Sequence, residues 1–151
     1  MNLLTRRIAI ALLASALTIG ADVRLGGQSA SATAGGLAIS VASVTRATNV
    51  SLTDCPPGAN SVRGVIRPGD ENEFASVTLD IKVPAGAKPA TVPSPILHDA
   101  SGKQYKTAQS FVEFAAGSSF SCTFAYRVPK GTKAAQLAIG STTLDLSKAA
   151  Q

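Results

Sequence analysis

The sequence predicts an all-β antiparallel sandwich of about seven to nine strands, with a barrel as the less favoured way of closing the sheet. Three observations carry this. Stretches of strict apolar–polar alternation recur along the chain, and turn signals separate them at intervals of about ten residues. Past the leader, no stretch keeps a helical period over three turns.

Residues 1–32 read as that leader. Arg6 and Arg7 precede an apolar run from Ile8 to Ala21, too short to cross a membrane comfortably as a helix. Ala30-Ser31-Ala32 fits the Ala-x-Ala pattern of a signal cleavage site, so the mature domain is expected to span 33–151. A cut after Gly20, or an uncleaved anchor, is the alternative. No cysteine near the cut could take a lipid, and no second apolar run follows. The expectation is a chain secreted or associated with the cell envelope, with no integral membrane segment after cleavage.

The 119 residues from Thr33 are enough for one domain and too few for two. Without Arg6, Arg7, Arg24 and Asp22, 11 basic and 8 acidic residues remain, a charge of about +3 where the whole chain has +5. These charges are dispersed, which argues against nucleic acid as a partner.

The elements follow in order. Leu37, Ile39 and Val41 alternate with Ala38, Ser40 and Ala42 in a first strand, and Val50 with Leu52 suggests a short second one. Cys55-Pro56-Pro57-Gly58 is a loop and Arg67-Pro68-Gly69-Asp70 a turn. Val77, Leu79, Ile81 and Val83 alternate cleanly, but Phe74 breaks their parity and predicts a bulge or a change of side near Ala75. Pro84 to Pro95 holds four of the eight prolines and reads as a connection between sheets or along an edge. Pro95 to His98 is a brief strand, turned by Asp99-Ala100-Ser101-Gly102 into Lys103 to Ala108. In the strand that follows, Phe120, Cys122, Phe124, Tyr126 and Val128 share one face, which predicts a central strand with that face in the core. Lys130 to Lys133 is a turn, and Gly140-Ser141, between Leu137/Ile139 and Leu144/Leu146, suits a type II′ hairpin.

Cys55 and Cys122 are the only cysteines. In an exported chain an even count makes a disulfide the default reading; a buried free thiol or a redox-sensing pair is the alternative. Closing the intervening loop would stabilise the fold by about 4 kcal/mol in the chain-entropy model.

Three stretches carry a family resemblance: RPGDENEFASVTLDIKV, PILHDASGKQY and FAYRVPKGTKAAQLAIG. Together they resemble a bacterial secreted immunoglobulin-like domain family of unknown function, grouped with the mycobacterial secreted immunoprotective antigen. The likeness spans about Leu37 to Leu146 and implies an immunoglobulin-like sandwich. Pro84-Ala85-Gly86 stands where members often carry an Asn-containing turn, and the lipid anchor of many members is missing. An antibody-type domain fits less well, for there is no tryptophan, and Phe120 occupies the place of the tyrosine two residues before the second cysteine.

Chemistry is sparse. His98 is the only histidine; beside Asp99, and with Ser94 or Ser101 as a conceivable nucleophile, it could suggest general-base work. However, adjacent strand residues face opposite ways and no Gly-x-Ser-x-Gly elbow is present. Asp70-Glu71-Asn72-Glu73 concentrates oxygen ligands without the spacing that calcium requires. No catalytic residue, metal site or cofactor is expected. Arg127, Lys130 and Lys133 gather at one strand end and form the candidate contact surface for an envelope or extracellular protein or polymer. The expected role is therefore a non-catalytic binding module. A carrier of small apolar ligands in a cleft between the sheets is the alternative, with an unrecognised hydrolase third.

Overall fold

The computed structural model describes residues 30–58, 62–86 and 92–149. The expected leader lies outside the described residues except for its last three. The described residues are all-β: β1 (Ser31–Ala34), β2 (Leu37–Ala47), β3 (Val50–Thr53), β4 (Val62–Ile66), β5 (Asn72–Lys82), β6 (Ile96–Asp99), β7 (Gln104–Lys106), β8 (Ser119–Pro129), β9 (Ala134–Ile139) and β10 (Thr142–Asp145). All strand pairings are antiparallel. A front sheet runs in the order β1-β2-β5-β8, a back sheet in the order β10-β9-β6-β7, and β3-β4 form a separate ribbon.

The core lies between front and back sheets. Inward residues Leu37, Ile39, Val41 and Val44 of β2 join Val77, Leu79 and Ile81 of β5 and Cys122, Phe124, Tyr126 and Val128 of β8. Across from them stand Leu97, Tyr105, Leu137, Ile139 and Leu144 of the back sheet. Val41 and Val44 are three residues apart, which strict alternation would send to opposite faces. The register slips between Val41 and Ser43, and this bulge returns Val44 to the core opposite Val77. The Tyr126 hydroxyl donates to the Pro95 carbonyl at 3.3 Å, satisfying the one polar atom of a side chain that is otherwise fully buried.

One expectation is narrowed and one corrected. Of the two alternatives near Ala75 the bulge is absent, since the pairing of β5 with β8 runs unbroken from Asn72 to Lys82, and what changes is the side on which apolar residues are buried. Phe74 instead faces outward and is buried, packing with Leu52 and Ala125 beneath the β3–β4 ribbon, with Ala47 and Val50 alongside. At this end both faces of the front sheet are covered, so parity is no guide to burial. The strand Ser119–Pro129 is not central: β8 is an edge of the front sheet, and the inner positions belong to β2 and β5. Its alternation is nevertheless as expected, because burial of one face does not depend on having two neighbours.

The turns follow their residues. Gly35 and Gly36, both at positive φ, link β1 to β2 as a two-residue hairpin turn, a geometry that suits glycine at both positions. At Gly140-Ser141 only the glycine has positive φ (+59°), the type II′ combination that this pair suggested. The Lys130–Lys133 turn passes from the front sheet to the back sheet, from β8 to β9, and is not a hairpin.

Candidate functional site

Cys55 and Cys122 form the disulfide, with Cα atoms 5.5 Å apart and both residues buried. Cys55 is also sewn by its backbone to the segment before β8: its N–H donates to Ser110 O at 3.0 Å and its carbonyl accepts from Val112 N at 2.6 Å. No free cysteine remains.

Gln109, which carried no sequence signal, is 2% exposed and occupies the free edge of β8. Its Nε2 donates to Thr53 O at 2.6 Å and Thr123 O at 2.7 Å, and its Oε1 accepts from Ala125 N at 2.8 Å. One side-chain amide thus stands in for a neighbouring strand and ties the ribbon to the edge.

His98 and Asp99 lie side by side on β6 with different surroundings. His98 is in register with Gln104 and Gln136, half-buried on the strand, while Leu97 beside it enters the core. Asp99 serves its turn. Its Oδ1 accepts from Ser101 N at 2.8 Å, Ser101 Oγ at 2.6 Å and Lys103 N at 3.0 Å, and its Oδ2 from the Tyr105 hydroxyl at 2.9 Å. The Asp-x-Ser-Gly-Lys-x-Tyr stretch is therefore a self-bonded turn, and Ser101 donates to a carboxylate and not to an imidazole. Led by the Ser101 hydroxyl, these donors hold the Asp99 carboxyl at about 2.

A pH dependence follows from that shift. A carboxylate with a depressed folded-state value stabilises the fold above its unfolded value near 4, and that contribution fades as pH falls through about 2. Thermal melts should therefore show wild type more stable than Asp99→Asn at pH 6, with the gap narrowing between pH 4 and pH 2. A gap independent of pH would show that the charge is immaterial.

The acidic stretch at residues 70–73 is divided. Asp70 and Glu71 are exposed, whereas Glu73 Oε1 accepts from Arg46 Nη1 and from Gly131 N, each at 3.1 Å. Arg46 Nη2 also donates to Thr132 O, so Arg46 and Glu73 hold the turn between the sheets. Among the described residues, no group of three or more potential metal ligands converges.

Arg127, Lys130 and Lys133 are all exposed at this same end. The end is not uniformly basic. Glu71 O accepts from Lys130 N at 3.2 Å, and the Asp70, Glu71 and Glu73 carboxylates belong to the same turn region. Arg127 faces outward beside Gly69, opposite Phe74.

A second surface lies on the outer face of the front sheet, beyond the ribbon. Cross-strand register aligns Ser31, Ser40, Asp80 and Ser121 in one row, and Thr33, Ala38, Lys82 and Ser119 in the next. Small side chains on both rows leave two adjoining hollows, about 370 Å³ over β1, β2 and β5 and about 300 Å³ over β5 and β8. Asp80 and Lys82 line both. The Ser121 hydroxyl donates to Asp80, and the Thr78 and Thr123 hydroxyls, 2.9 Å apart, occupy the next row toward the ribbon. The sequence showed these residues only as the polar half of an alternation; their alignment into rows needs the register.

Comparison with protein families, with curated proteins and with solved structures finds no match.

Proposed function

We propose that this domain is a non-catalytic binding module of the bacterial cell envelope, and that it meets an envelope protein or polymer through the shelf around Asp80 and Lys82. The observation that carries the reading is the pair of open hollows sharing those two residues across four strands. Five hydroxyl side chains, one carboxylate and one ammonium offer hydrogen bonds to an extended polar chain, and Ala32, Ala38, Ile39, Ile81 and Phe120 add apolar surface beneath it. The basic end carries its own acidic neighbours and offers less net charge to a partner. The resemblance to secreted immunoglobulin-like domains supports the envelope location alone, since the function of that family is unknown. A carrier of apolar ligands would have to open space among Phe124, Tyr126, Leu79, Leu97 and Leu137, which fill the region between the sheets.

The test is a cross-linking pull-down from envelope extract with three baits. Wild type should recover a partner, an Asp80→Lys/Lys82→Asp variant should lose at least 10-fold of it, and Arg127→Ala/Lys130→Ala/Lys133→Ala should retain it. All substituted side chains are exposed, so the baits keep their fold. Loss in the triple variant alone would move the surface to the basic end, and recovery of nothing by wild type would remove the binding reading.

A further inference from the structure

We infer that the cut releasing the leader falls before Ala30, and not after Ala32 where the Ala-x-Ala pattern stands. The inference rests on the reading of the amino-terminal apolar segment as a cleaved leader.

Ser31–Ala34 form β1, in register from Ser31 opposite Ser40 to Ala34 opposite Leu37. The pairing extends one residue further back, where Ala30 O accepts from Val41 N at 2.9 Å. Ala30 and Ala32 pack against the core and Ala34 lies in it, while Ser31 and Thr33 are exposed. Thus the Ala-x-Ala that resembles a cleavage pattern is the inward face of an edge strand, where alanine fits the thin margin of the sandwich. The strand also ties the two sheets together, because Thr142 Oγ1 of β10 donates to Thr33 O at 3.1 Å.

A cut after Ala32 would remove Ala30, Ser31 and Ala32 and leave two strand residues ahead of the Gly35-Gly36 turn. It would bare the β2 edge from Ile39 to Val41, exposing unpaired backbone groups of the kind sheets normally protect. It would also remove part of the wall of the larger hollow, which Ser31 and Ala32 line.

The experiment expresses the full precursor in an exporting bacterium and measures the intact mass and amino-terminal sequence of the released protein. A start at residue 30 or earlier is expected. A start at Thr33 overturns the inference while leaving the leader reading intact, whereas a released chain still beginning at Met1 overturns both. In parallel, chains starting at Ala21 and at Thr33 are melted and their amide exchange compared. The Thr33 chain should melt roughly 5–10 °C lower and lose protection at the Val41 amide. Equal melting and equal protection at Val41 would overturn the inference.

Discussion

Replacing Cys55 and Cys122 together by alanine will lower the melting temperature by roughly 10–20 °C. The bond joins residues 67 apart, and in the chain-entropy model closing such a loop stabilises the fold by about 4 kcal/mol. Domains of this size typically have about 5–15 kcal/mol in all, so the effect is a large share of the total. The double variant is the right one, since a single replacement leaves a lone thiol in a buried place. The loss should not spread evenly. The ribbon is held to the front sheet by the small Leu52–Phe74–Ala125 core, by Gln109 and by the segment that Cys55 anchors. Amide exchange should therefore accelerate most in β3 and β4, and least in β5. Because both sulfurs are buried, native protein should also resist reductant until denaturant opens it. A double variant melting within two degrees of wild type would show that the cross-link does not support the fold.

The second large effect is expected at Gln109. Its replacement by alanine leaves Thr53 O, Thr123 O and Ala125 N without their partner, the last buried and the other two partly so. A buried polar group left unsatisfied costs about 1–3 kcal/mol, so the three together should cost about 3–5 kcal/mol, allowing for relaxation. Glu separates hydrogen bonding from size. Gln109→Glu keeps the volume but turns a carboxylate toward two carbonyl oxygens, which raises its folded-state value above the unfolded one. The deficit of that variant is then full at neutral pH and shrinks as pH falls through the raised value. Chemical denaturation of the three proteins at pH 7 and pH 4 reads both effects. If Gln109→Ala unfolds at the wild-type midpoint, the edge of β8 is satisfied by something other than this amide.

Much of the molecule was legible in its sequence. Alternation at Leu37–Val41, Val77–Ile81 and Phe120–Val128 marked strands and their inward faces, because a two-residue period records which face meets water. The Gly140-Ser141 hairpin and the turn at Asp99–Gly102 followed from short-range chemistry that needs no distant partner, and the cysteine pair from there being only two cysteines. Parity failed at Phe74 and Ala125, where the ribbon covers the outer face and burial on both sides erases the signal. Nothing local could show that β8 is an edge, that Gln109 completes it, or that the small residues at 30–32 form a strand. Nor could it bring Asp80 and Lys82 into rows with Ser31, Ser40, Ser119 and Ser121. The sequence by itself determined the strands, their buried faces and the covalent tie. Strand order, the covered outer face and the candidate surface were decided only by tertiary pairing, since neighbours in a sheet are chosen by contacts between residues far apart in the chain.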